Sequence, residues 1–191
     1  MYDITHLRGE KRRSCKIYVL AELWLYVNYT EILTINFTIM STRDKVLKKL
    51  NELLTRNYDA EYGYKEAVKD IKDSKLKKVF KTYVEQRNRF GHDIKGEIAN
   101  LGEDPEKAKG TSVAGDIHRK WMNLKKVISS NNEEAILEEC RRGEMVTWQD
   151  YNEALALEDL PPTTMTLLED HKRKIDEALY DIMELKSDYA S

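Results

Sequence analysis

From Thr42 onward, apolar residues return at every third or fourth position through four long stretches of the chain, and that spacing is the period of an α-helix with one buried face. The first stripe is Val46, Leu50, Leu53, Asn57, Glu61, Tyr64, Val68 and Ile71, with Ser41 or Thr42 placed as N-cap, which predicts a helix to about Lys72. The second is Leu76, Val79, Phe80, Tyr83, Arg87, Phe90, Ile94, Ile98 and Leu101, capped by Asp73 or Ser74 and stopped by Gly102. The third carries Ile136, Cys140, Glu144, Thr147, Tyr151, Ala154 and Leu155 after the polar break Ser129-Ser130-Asn131-Asn132, and is expected to stop at Pro161-Pro162. The fourth, opened by Thr163 or Thr164, places Leu168, His171, Ile175, Ala178, Ile182 and Leu185 on one face.

Composition agrees with that pattern. Only 3 prolines and 8 glycines punctuate 191 residues, of which 35% are charged, so the chain lacks the frequent turn signals of an all-β sandwich and has the polar surface of amphipathic helices. A chain of this length buries one sizeable core. Lysine and arginine (32) nearly balance aspartate and glutamate (34), which supplies no field toward nucleic acid or an anionic membrane. The run Lys69 to Lys81 holds six lysines, but Asp70 and Asp73 interleave with them, the pattern of a solvated helix face. Two cysteines, Cys15 and Cys140, build no disulfide framework and suit the reducing cytoplasm.

Residues 1–39 read as a separate N-terminal extension ahead of a domain spanning 40–191. A basic stretch (Arg8, Lys11, Arg12, Arg13, Lys16) precedes an apolar run from Ile17 to Met40, the order of a signal anchor. Glu22 and Glu31 interrupt the run, each costing roughly 2.5–3.5 kcal/mol near a bilayer centre, so membrane anchoring is disfavoured. Three readings stay open: a poorly ordered extension, a helix or strand packed on the domain, or translation from an upstream start, since Met40-Ser41-Thr42 opens a well-patterned helix.

The tight connection at Asp73 makes the first two helices antiparallel neighbours. Between Gly102 and Asn131 lies a polar loop followed by a short amphipathic helix with Ile117, Trp121, Leu124 and Ile128, long enough to run back along the bundle. Two helical hairpins joined by one long crossover is the connectivity of ferritin-like four-helix bundles, and that all-α fold is the expectation here.

The residues from Met40 onward also resemble a bacterial family of ferritin-like four-helix-bundle proteins classed as a domain of unknown function. The resemblance is carried by Asn57-Tyr58-Asp59-Ala60-Glu61-Tyr62-Gly63-Tyr64, by Gln86-Arg87 with Phe90-Gly91-His92, and by Gly115-Asp116-Ile117-His118-Arg119-Lys120-Trp121-Met122. Glu133-Glu134-Ala135-Ile136-Leu137-Glu138-Glu139-Cys140, Arg142-Gly143-Glu144 and Leu160-Pro161-Pro162 extend it. It implies a soluble bacterial bundle protein without an assigned biochemical activity, and leaves residues 1–39 outside the family pattern.

Di-iron bundles hold their metals with an inward Glu from two helices and Glu-x-x-His from the other two. Here the corresponding positions read Glu85-x-x-Asn88 and Glu169-x-x-Lys172, so neither motif is intact, and Glu85 and His92 point away from the apolar stripe. The inward polar residues are Asn57, Glu61, Tyr64, Arg87, Glu144, Tyr151 and His171. At 1.5 Å per residue from the shared end of the bundle, Glu61 lies about 16 Å down, Glu144 about 18 Å and Arg87 about 21 Å. Arg87 is therefore expected to bridge Glu61 and Glu144 as a structural polar core, a guanidinium satisfying two carboxylates where a di-iron relative holds cations.

His171, level with Tyr151, reads as a hydrogen-bonded core histidine, because one imidazole builds no metal site alone. His118 beside Trp121 reads as a surface or capping residue, and His6 belongs to the extension. Cys140 reads as an apolar core thiol, and Tyr62 as exposed and available to a partner. Glycine-rich phosphate loops, His-Glu-x-x-His and Cys-x-x-Cys are absent.

The expectation is thus a cytoplasmic, non-catalytic binding or structural protein, suspected of a stress-related role, with no cofactor and no nucleic-acid partner. Self-association as a homodimer is expected through an apolar edge of Leu137, Trp148 and Leu155, alongside an unidentified protein partner. The alternative is a metal-binding, di-iron-like carboxylate protein in iron or peroxide chemistry, with Glu61, Glu144 and His171 as ligands.

Overall fold

A computed structural model describes residues 42–106, 126, 128 and 132–189, and those from Asp44 onward belong to one compact unit. The expected N-terminal extension with His6, and the crossover residues Ile117, His118, Trp121 and Leu124, lie outside the described residues. Among the described residues stand four long helices: α1 (42–70), α2 (Ser74–Asn100), α3 (Glu133–Leu155) and α4 (Pro162–Tyr189).

The caps are local chemistry that the sequence carries openly. Asp73 accepts the Leu76 amide at 2.8 Å and starts α2, and Asn132 accepts the Ala135 amide at 2.9 Å and starts α3. Gly102, at φ 79°, ends α2: its amide donates to Ala99 O at 2.9 Å, and that of Glu103 to Ile98 O at 3.1 Å, the paired bonds of a Schellman turn. Asp73 Oδ1 also accepts the Tyr189 hydroxyl at 2.8 Å, tying the start of α2 to the end of α4. Asp73→Ala is expected to cost about 1–2 kcal/mol, read as a lower urea midpoint with an unchanged slope.

Two boundaries differ from expectation. The third helix ends at Leu155, well before Pro161, because the backbone turns through Asp159 at φ 56°. The fourth starts at Pro162, where a proline at the first helical position needs no amide partner, and Met165 N donates to Pro161 O at 2.9 Å. Thr163 and Thr164 are thereby freed from capping, and both hydroxyls donate to Glu97 Oε1 on α2, at 2.8 and 2.5 Å.

Contacts between helices set the directions. Lys49 to Glu153 (2.8 Å), Arg56 to Asp150 (2.5 Å) and Tyr64 to Glu144 (2.6 Å) rise along α1 while falling along α3, so these two are antiparallel. The contacts of Lys75 with Asp188 (2.7 Å), of Tyr83 with Ala178 O (3.3 Å) and of Glu97 with Thr163 make α2 and α4 antiparallel too. The short link at 71–73 reverses the chain between α1 and α2, so α2 and α3 run parallel, and the end of α2 and the start of α3 lie at opposite ends of the bundle.

The core has two apolar halves. One gathers Leu50, Leu53, Phe90, Ile94, Tyr151, Leu168 and Ile175; the other gathers Tyr64, Ile71, Leu76, Phe80, Tyr83, Ile136, Leu137 and Ile182, with Tyr64 edge-on to Phe80 at 5.3 Å. Each fully buried Leu, Ile or Phe contributes about 1.5–3 kcal/mol of transfer free energy. Of the apolar edge expected for self-association, Leu137 is wholly buried, and Trp148 and Leu155 lie partly buried against the core.

Candidate functional site: a buried polar layer

Polar side chains from all four helices meet where the two apolar halves adjoin. Arg87 of α2 is completely buried, and its Nη2 donates to Glu144 Oε2 of α3, itself 2% exposed. Burial, the largest single effect, works against a charged guanidinium, but Glu144 together with the Tyr64 and Tyr151 oxygens outweighs it and holds the Arg87 pKa above its ordinary value. Tyr64 of α1 donates to the other carboxylate oxygen at 2.6 Å. Burial and the Glu144 charge push the Tyr64 hydroxyl well up, so it stays protonated and donating. The remaining face of the guanidinium lies over the Phe90 ring, 5.2 Å from its centroid, and Nε and Nη1 find no acceptor among the described residues.

The expected bridge from Arg87 to both acids is half made. Glu61 is buried at the same level, but its Oε1 accepts from Lys65 at 2.5 Å and from Asn88 at 3.1 Å. Neighbouring residues on α2 differ by about 100° in direction, so Asn88 turns to α1 while Arg87 crosses the core to α3. Lys65 was detectable, one turn beyond Glu61 in the sequence. Asn88 stands at the histidine position of the broken Glu-x-x-His motif and serves instead as a hydrogen-bond donor to Glu61.

A second network joins all four helices and ends on the Asp93 carboxylate. Asn57 Nδ2 of α1 donates to Leu53 O at 2.8 Å and to Tyr151 Oη of α3 at 3.0 Å. Tyr151 Oη lies 3.1 Å from His171 Nδ1 of α4, and His171 Nε2 lies 3.2 Å from Asp93 Oδ2 of α2. With Asn57 donating to it, the Tyr151 hydroxyl donates onward to Nδ1, which assigns the imidazole hydrogen to Nε2, facing Asp93. His171 also stacks on Phe90 at 3.9 Å and 17°. Burial pulls its pKa from 6.5 down to about 4, the bond to Asp93 opposing, so it is neutral near pH 7.

Glu97 is the buried acid that the sequence reading missed. It lies beside Ile98 on the apolar face of α2 and takes both threonine hydroxyls at the start of α4, where a carboxylate also meets the positive end of the helix dipole. Glu85 and His92 are exposed, as their direction predicts. Cys140 is a buried thiol, pushed up in pKa by burial and by Glu144, and so a poor nucleophile. Glu61, Glu144 and His171 fall into three separate hydrogen-bonding groups. Among the described residues, no three His, Cys, Asp or Glu side chains are grouped so as to hold a metal ion. Nor is any helix there long and apolar enough to cross a membrane.

Fold and polar layer together define an all-α, ferritin-like four-helix bundle with an ion pair at its core. The family described as domain of unknown function (DUF2383) matches residues 45–157, more than half of the chain, and the protein belongs to that family. Among solved structures it is similar to a two-domain protein from Anabaena variabilis ATCC 29413 containing DJ-1/ThiJ/PfpI-like and ferritin-like domains. The TM-score is 0.61 at 11% identity, covering 78% of this chain and 37% of that one. The chain thus spans little more than a third of that protein, and at this identity the likeness concerns the fold alone. No curated protein matches the chain.

Proposed function

We propose that this protein is a non-catalytic ferritin-like bundle of the bacterial cytoplasm that acts by binding a protein partner, in a stress-related role, with its polar core serving stability. The observation that carries the proposal is Arg87: a fixed cation, fully buried and paired with Glu144 in the middle of the bundle, opposes the divalent ions that ferritin-like oxidases gather between their helices. Glu61 and His171 add to the support, since each is already held by groups of this chain. Tyr62, 48% exposed on α1, is a site where a partner would find an aromatic anchor.

The test is elemental mass spectrometry on untagged protein incubated aerobically with ferrous iron, beside a Glu61→Gln/Glu144→Gln control. The expected result is no stoichiometric iron in either protein. Roughly one or more irons per chain, lost in the control, would overturn the proposal in favour of a di-iron-like carboxylate protein.

A further inference from the structure

An open pocket of about 250 Å³ lies between α1 and α3, on the outer side of the Arg87–Glu144 pair. Its walls are Ala60, Tyr62, Gly63 and Tyr64 from α1 and Cys140, Gly143, Val146 and Thr147 from α3; Glu144 lies at its floor. Two helix-interior glycines in one small pocket need a reason, because glycine there destabilises a helix relative to alanine. Packing among the described residues does not supply one: a Cβ on Gly63 or Gly143 would meet nothing there within 4 Å. Gly91 differs, since a Cβ there would meet the Tyr58 ring at 3.4 Å; Gly96 also faces open space but does not line this pocket. What Gly63 and Gly143 share is the pocket, whose volume their side chains would fill.

The lining specifies the guest. A dry cavity of about 150 Å³ takes benzene, so this pocket has room for two fused rings. Arg56 and Arg142, the cations at its rim, are engaged by Asp150 (2.5 Å) and Glu139 (3.1 Å), so a carboxylate or phosphate would find its cations already taken. The Glu144 charge is balanced by Arg87, and Asp59, the other carboxylate of the lining, is itself engaged, so a cation gains little. Glu144 accepts one bond at each oxygen, from Tyr64 and Arg87, and a carboxylate has about four acceptor sites, so acceptor capacity remains for a donor from the pocket.

We infer that the pocket binds a neutral one- or two-ring aromatic molecule carrying a single N–H or O–H donor. Its ring lies over Gly63 and Gly143 between Tyr62 and Val146, and its donor is directed at Glu144. This site shares Tyr62 with the partner surface proposed above but does not rest on that role.

Indole, and indene as the same shape without the donor, are the probes, titrated into the full ¹⁵N-labelled chain. The expected result is saturable shifts of the amides of residues 59–64 and 139–147 with indole, and at least tenfold weaker binding of indene. Gly63→Leu and Gly143→Leu are each expected to keep the melting temperature and to weaken indole binding at least tenfold. Absence of saturable indole shifts at those amides would overturn the inference, as would indene binding equally well or folded leucine variants binding indole unchanged. The comparison of indole with indene needs no variant, so it stands even where a leucine disturbs the fold.

Discussion

Arg87→Met is expected to lower the unfolding free energy by about 3–5 kcal/mol, a large share of the 5–15 kcal/mol that holds a typical domain together. The cost comes from what is left behind. Glu144 is 2% exposed and would be left buried with only the Tyr64 hydroxyl for a partner, while the methionine fills most of the space of the arginine stem. Urea unfolding gives the test, with a lower midpoint at constant slope. A second variant separates the pair from its packing: Arg87→Met/Glu144→Met removes both charges and is expected to recover most of the loss, because an apolar replacement of a buried ion pair is often neutral or stabilising. The Tyr64 hydroxyl then lacks its acceptor, a residual of about 1–3 kcal/mol that Tyr64→Phe in the same background should return. An unchanged midpoint in Arg87→Met alone would mean that the ion pair holds nothing together.

Periodicity tells which side of each helix turns inward, and that is enough to place Asn57, Glu61, Arg87, Glu144, Tyr151 and His171 inside the bundle. Rise per residue placed Tyr151 level with His171, and they meet at 3.1 Å. What periodicity lacks is the identity of the helix opposite. Arg87 had two acids at its level and reaches one, because reaching Glu144 commits its direction away from α1. The same gap hid the threonines: Thr163 and Thr164 follow a break and read as caps, yet they bond Glu97 on a helix 66 and 67 residues earlier. Leu137, Trp148 and Leu155 looked like a spare apolar edge only because a stripe on one helix does not show how widely its neighbours embrace it. The pocket was beyond reach for a related reason, since Gly63 and Gly143 become neighbours only when α1 and α3 pair.

Acid is expected to weaken the bundle through His171, and the sign follows from where the proton goes. The folded pKa is about 4 against 6.5 for an exposed histidine, so between these values the unfolded chain binds a proton that the native imidazole refuses. Above pH 6.5 both states are neutral and His171 contributes no pH dependence; as pH falls from 6.5 toward 4, stability drops; below 4 both states are protonated and the loss levels off. The shift of about 2.5 units corresponds to roughly 3 kcal/mol at the acid end, at 1.36 kcal/mol per unit. Around the ring, Asp93 and Asp170 favour the charged form and Lys174 opposes it, but burial is the largest effect, and Tyr151 at Nδ1 would have to reverse its hydroxyl to accept from a protonated ring. Carboxylates elsewhere also titrate in this range, so the reading is a difference. Urea stability of the wild type is compared with that of His171→Gln from pH 7.5 to 4. The wild type is expected to lose about 2–3 kcal/mol more than the variant across that window. Parallel curves would show that the imidazole takes up its proton in the folded state as easily as in water, and the chain from Asn57 through Tyr151 to Asp93 would then have to open at mildly acidic pH.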